Sequence, residues 1–178
     1  MRSLLTPTLA VAALTSAQVA QAQEICVEPA DLEDAITYAM PIAYDAVMQS
    51  CDARYSQDSF MRSGGLSFTN QFRDKQDAAW PGAFALIQVF MAREAGAESE
   101  QATSALFESL PEEALRPFID GIVQQGVMQE VKPDTCGDIE HALELLAPLP
   151  VENFSGILSF IAQMADLDNP PICSTTAK

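Results

Sequence analysis

Apolar residues recur at three- and four-residue spacing along most of the chain, the period of one helical face, and no stretch alternates apolar with polar residues as a half-buried strand would. From Ala30 to Ser50 the apolar series is Leu32, Ile36, Ala39 with Met40, Ala43 and Val47, and Asp34, Thr37, Pro41, Asp45 and Gln49 fall opposite. Pro29 suits the first turn of this helix, where a missing N–H is no loss, whereas Pro41 predicts a kink or break on the polar face. Ser56 to Arg62 reads as a short helical turn ended by Gly64-Gly65, and Leu66 to Ala79 as a helix of weaker periodicity. Trp80-Pro81 predicts a kink or a new start, because a residue before proline is pushed out of the helical region. Ala83, Phe84, Ile87, Phe90 and Met91 then form a stripe that runs out near Gly96. Glu98 to Leu110 follows as a short helix carrying Ala102, Ala105, Leu106 and Leu110.

The last third of the chain has the clearest boundaries. Glu112 to Glu130 predicts a helix with Leu115, Phe118, Ile119, Ile122, Val123 and Val127 facing inward, closed by Lys132-Pro133, with Pro117 able to shift its start by several residues. Asp134 and Thr135, capping residue types, precede a helix from about Gly137 to Leu146 with Ile139, Ala142, Leu143 and Leu146 on its apolar face. Pro148-Leu149-Pro150 forces a turn. A final helix from Val151 to about Ala165 is expected to bury Phe154, Ile157, Leu158, Ile161 and Met164, and to be followed by an extended tail over about 167–178. The expected fold is all-α, a single-domain bundle of about six to seven helices.

One apolar run is not part of this pattern. Residues 1–22 read as a secretory signal peptide, with Arg2 near the start, an apolar stretch from Leu4 to Leu14, and small residues at Ala20 and Ala22 ahead of cleavage. The run is interrupted by Thr6 and Pro7 and is shorter than the ~20 residues a membrane span requires. A mature domain over 23–178 is then expected in the bacterial periplasm or fully secreted.

That compartment gives the cysteines a meaning. Cys26, Cys51, Cys136 and Cys173 are even in number and contain no Cys-x-x-Cys spacing, so they predict two disulfides rather than a redox centre or a metal site. A helix over 30–50 separates its ends by roughly 30 Å, and a disulfide needs Cα atoms within about 7 Å, so Cys26 and Cys51 are not expected to pair with each other. Two connectivities remain: Cys26 with Cys136 and Cys51 with Cys173, or Cys26 with Cys173 and Cys51 with Cys136. Both tie the first helix to the C-terminal helical hairpin.

Charge narrows the partners. The chain has 25 Asp and Glu against 9 Lys and Arg, a formal net charge of −16, and removal of Arg2 makes the mature chain more negative still. Such a surface repels phosphate backbones and anionic headgroups, which excludes nucleic acid and stable membrane insertion from the expected partners.

The chemistry is sparse. His141 is the only histidine, follows Glu140, and has Asp138 one turn before it, but a bundle metal centre needs such a motif twice. No Gly-x-Ser-x-Gly elbow occurs, and the carboxylate pairs Glu33-Asp34, Asp74 with Asp77, Glu112-Glu113 and Asp166 with Asp168 read as solvated charges. Asp166 to Asn169 is only a fragment of a calcium loop. No cofactor, metal or catalytic residue is assigned. The residues singled out as surface or pocket candidates are Tyr44, Arg54, Arg73, Trp80 and His141.

These features lead to three expectations. The first is a non-enzymatic exported domain that binds another envelope or secreted protein. The second is a carrier or sensor of a small apolar ligand held between helices, with Phe84, Phe90, Ile122 and Phe154 as the expected lining. The third is a hydrolase using carboxylates or His141.

Overall fold

The computed structural model describes residues 26–165 and 170–173, without the side chains of 94–106 and 108. Residues 1–22, the Asp166–Asn169 segment, most of the expected tail, and the side chains of Ala102, Ala105 and Leu106 lie outside the described residues.

Seven α-helices occur among the described residues. They are α1 (Pro29–Cys51), α2 (Phe60–Ser63), α3 (Gly65–Arg73), α4 (Gln76–Ser109), α5 (Glu112–Glu130), α6 (Cys136–Leu146) and α7 (Val151–Met164). A single 3-10 turn, Asp52–Arg54, follows α1. The only extended pairing among the described residues is an isolated parallel bridge between Val27 and Ile172. The all-α architecture expected from the periodicity is the one observed.

Helix α1 is the axis of the bundle, touching α3, α4, α5 and α7. Because neighbours surround it, the buried set is wider than one stripe: Ala35, Thr37, Tyr38, Pro41, Tyr44, Ala46, Val47 and Cys51. Thr37 and Pro41, expected on a polar outer face, are therefore inside. Pro41 does not end the helix; the packing of α1 on every side holds the backbone through it.

Helix α4 also departs from expectation. The single helix expected over 66–79 is divided at Asp74 and Lys75, whose N–H groups close onto Asn70 O (3.0 Å) and Phe72 O (2.9 Å). From Gln76 the chain is helical without interruption through Trp80-Pro81 and Gly96 to Ser109. Pro81 points to solvent, while Trp80 is buried, stacked on Phe84 (ring centroids 5.5 Å) and tilted against Tyr38 (5.2 Å). That burial offsets the hydrogen bond the proline forfeits. Gly96 lies between two alanines, and a helical glycine costs only about 1 kcal/mol relative to Ala, so it does not stop the helix.

Three apolar clusters make the core. Ala35, Tyr38, Trp80, Ala83, Leu115 and Ile119 join α1, α4 and α5. Tyr44, Val47, Cys51, Tyr55, Met61 and Cys136 join the end of α1 to α2 and α6. Phe68, Phe72, Val151 and Phe154 join α3 to α7, with the three phenylalanine rings at 5.0–5.6 Å from one another.

Of the two cysteine connectivities left open by the sequence, the structure has Cys26–Cys173 and Cys51–Cys136, with Cα separations of 5.1 and 5.8 Å. The first joins the segment before α1 to the tail, where Val27 N–H donates to Pro171 O (2.9 Å) and Cys173 N–H to Val27 O (2.8 Å). The second joins the end of α1 to the start of α6. It is wholly buried, whereas Cys26 and Cys173 are only half-buried.

Candidate functional site

Beside Val151 and Phe154, the inner face of α7 carries two small hydroxyl residues. Ser155 and Ser159 are buried, and their size lets α7 lie close against α1. Ser155 Oγ is 2.7 Å from Thr37 Oγ1, which also donates to Glu33 O (2.9 Å), and Ser159 Oγ donates to Pro29 O (3.3 Å). Each buried hydroxyl therefore has a partner, as burial requires.

This docking turns α7 about a quarter of its circumference from the expected orientation, taking 3.6 residues per turn. Phe154 stays buried and Leu158 half-buried. Ile157, Ile161 and Met164, expected inside, are 42%, 54% and 70% exposed, and Phe160 between them is 60% exposed. The four lie at i, i+3, i+4 and i+7, one continuous outward stripe. No charged residue occurs from Asn153 to Ala165. Helix α5 shows a smaller version of the same departure: Leu115 and Ile119 are buried, but Phe118 and Ile122, expected inside, are exposed. Both displacements have one cause, since the periodicity marks an apolar stripe without saying what it faces.

Two recesses flank α7. The polar one, about 230 Å³ between α1, α4 and α7, is lined by Glu33, Asp34, Thr37, Lys75, Glu152 and Ser155 among others. Gly82 lets Asp34 lie close against α4, because a Cβ there would lie 2.5 Å from Asp34 Oδ2. Desolvation by burial, then the nearby Asp31 charge, pushes the Asp34 carboxyl above its usual range. Lys75 Nζ bonds Glu152 Oε1 at 2.5 Å and, chiefly through that hydrogen bond, holds Glu152 below the usual range. The two carboxylates do not make an acid–base pair: the Glu152 shift comes from an exposed ion pair screened by solvent, and the Ser155 hydroxyl is engaged with Thr37 rather than with a base. The cleft is suited to hydrogen bonding rather than to nucleophilic chemistry. The apolar recess, about 280 Å³ between α1, α6 and α7, is lined by residues that include Met40, Tyr44, Val47, Leu143, Phe154 and Leu158.

The residues singled out from the sequence are dispersed. Tyr44 is a core residue whose hydroxyl donates to Met61 O (2.5 Å); Gly65 allows that approach, since a Cβ there would lie 2.6 Å from the Tyr44 ring. Burial, above all, raises the Tyr44 phenol. Trp80 is also buried, with the Arg116 guanidinium 4.9 Å above its ring. Arg73 is half-buried and pairs with Asp45 through both carboxylate oxygens at 3.0 Å. Arg54 and His141 are exposed, on the 3-10 turn and on α6. Glu140 beside His141 accepts from Met61 N–H (3.2 Å), so it serves the start of the chain's second core cluster. The four residues expected to line one ligand cavity are also apart: Phe84 packs on the α1–α4–α5 cluster, Phe154 lies in the α3–α7 cluster, and Phe90 and Ile122 are exposed. Among the described residues no group of three or more His, Cys, Asp or Glu is arranged to hold a metal ion, and no helix is long and apolar enough to cross a membrane.

The residues that sequence reasoning missed are Thr37, Ser155 and Ser159, hydroxyls set within apolar helical patterns, and Phe160. No family model matches the chain, and it matches neither a curated protein nor a solved structure.

Proposed function

We propose that this chain is a non-enzymatic exported helical domain that binds another protein of the envelope or the secreted space through the outer face of α7. The observation that carries the reading is the stripe of Ile157, Phe160, Ile161 and Met164, large, adjacent and exposed on a helix with no charged residue after Glu152, in a chain of net charge −16. Scattered exposed apolar residues are ordinary on protein surfaces; a contiguous stripe at helical spacing supports a docking role.

The test is recovery of a stoichiometric protein with the oxidised mature chain from its native extract, and its loss with the Phe160→Gln, Ile161→Gln variant. Glutamine keeps the helix propensity and removes the apolar surface. Recovery of the same protein with both forms would move the binding surface elsewhere, and recovery of none with either would remove the reading.

A second reading has its own observation. The apolar recess between α1, α6 and α7 is close to the ~300 Å³ lower bound of small-ligand pockets, which supports a carrier of a small apolar molecule. A defined ligand mass released from the purified protein on denaturation would select it.

A further inference from the structure

The stripe on α7 has acidic residues along one border. Glu33 lies against Gly156, its Oε1 3.9 Å from where a Cβ would stand, one turn before Phe160. The Ser159 bond to Pro29 O brings the start of α1, with Glu28 as its N-cap, close to the same helix. Glu28 and Glu33 have no ion-pair partner among the described residues, whereas Glu152 is held by Lys75.

From this we infer that the occupant of the α7 face is a basic amphipathic helix of another protein, with Lys or Arg beside its apolar side; the inference rests on the protein-binding reading above. The i, i+3, i+4, i+7 spacing of the stripe is complementary to the ridge of a second helix. A second copy of this chain would bring two acidic borders together within a molecule already at −16, while a basic helix would neutralise the border it covers. Four side chains on a helix of 14 residues present less than the ~800 Å² per partner of a standard interface, so the complex is transient and its encounter rate is raised by charge.

The test uses the oxidised full-length mature chain and two fluorescein-labelled helical peptides with identical leucine spacing, one with lysine and one with glutamate at the polar positions. Fluorescence anisotropy is expected to give micromolar binding of the lysine peptide and at least about tenfold weaker binding of the glutamate peptide, with the lysine complex weakened between about 50 and 500 mM salt. Phe160→Gln, Ile161→Gln, with native circular dichroism, is expected to lose the lysine peptide by roughly tenfold or more, because both central apolar anchors of the stripe are removed. Leu145→Gln, at an exposed leucine on α6, is expected to keep it. Glu28→Gln, Glu33→Gln is expected to weaken it about threefold and flatten the salt dependence. Equal binding of both peptides, or lysine-peptide binding unchanged in the Phe160→Gln, Ile161→Gln variant, overturns this inference and leaves the protein-binding reading standing on its own recovery experiment. So does a dimer of the chain alone, seen by sedimentation and dissolved by that variant, because a second copy then covers the face.

Discussion

Around Cys51–Cys136 and on the outer side of α7 the chain uses the same kinds of apolar residue in opposite ways. At the first, Cys51, Met61 and Cys136 are almost completely buried, and the polar groups among them are answered: Tyr44 donates to Met61 O, Tyr55 to Cys136 O at 3.1 Å, and Met61 N–H to Glu140. At the second, four large apolar side chains stand in solvent while two serines take the inner positions. Apolar surface in the first region stabilises the fold; in the second much of it stays in solvent and contributes less. The difference teaches that helix α7 buries one face in the fold and leaves an apolar face exposed, the face that the proposed function assigns to another protein.

The largest effect expected on the buried side is loss of its disulfide. Cys51–Cys136 closes a loop with a sequence separation of 85, for which the chain-entropy model gives about 4–5 kcal/mol. Urea unfolding of the Cys51→Ser, Cys136→Ser variant is expected to register that loss. The two disulfides also differ in access. With a dithiol reductant, alkylation at half-buried Cys26 and Cys173 is expected to precede that at Cys51 and Cys136, and simultaneous labelling would contradict the contrast in burial.

Next comes a pair of substitutions on one helix. Phe154→Ala empties the centre of a three-ring cluster and is expected to cost about 3–5 kcal/mol. Phe160→Ala, six residues further on the same helix, is expected to cost under about 1 kcal/mol. Equal costs in thermal or urea unfolding would erase the distinction between the two faces.

A smaller effect lies at alkaline pH. Burial first, and then the charge of Glu140, raises the Tyr55 phenol to about 12. The folded state therefore favours the neutral phenol: the contribution is intact below the unfolded value near 10 and is lost as pH rises through about 12. Wild type is expected to lose stability over that interval, and Tyr55→Phe to lose less. The same slope in both proteins would show that Tyr55 does not carry the effect. The smallest change belongs to Lys75→Ala in urea unfolding, since the Lys75–Glu152 pair is exposed on both sides and screened by solvent.

Much of the helical layout was legible in the sequence because prolines mark its ends, whereas Thr135, expected to cap α6, turns its hydroxyl back to Lys132 O. Helix α5 begins and ends at the residues expected, Glu112 and Glu130, and α6 and α7 follow within a residue of expectation, flanked by Thr135 and Pro150. Pairing of Cys26 with Cys51 was excluded by helix length alone, but choosing between the remaining connectivities needed the packing of α6 against the end of α1. Trp80-Pro81 misled because a local backbone preference worth a few kcal/mol yields to the burial of an indole between Tyr38 and Phe84. The orientation of α7 was hidden for a different reason. Hydrophobic periodicity ranks Ile157, Ile161 and Met164 above Ser155 and Ser159, yet close helix approach favours the small hydroxyls, and only the Thr37 partner across the interface reveals this. The candidate site was correspondingly less legible than the fold. Tyr44 and Trp80, conspicuous as aromatics, belong to the core, and the surface that stands out is built from residues that read as core.

The most direct measurement is the urea-unfolding free energy of the oxidised chain carrying Ile157→Gln, Phe160→Gln, Ile161→Gln and Met164→Gln together. If the outer face of α7 is free of the fold's own packing, the variant retains wild-type stability to within about 1 kcal/mol, because exposed sites away from the core change little. A loss of several kcal/mol, of the size reserved for buried side chains, would contradict the account.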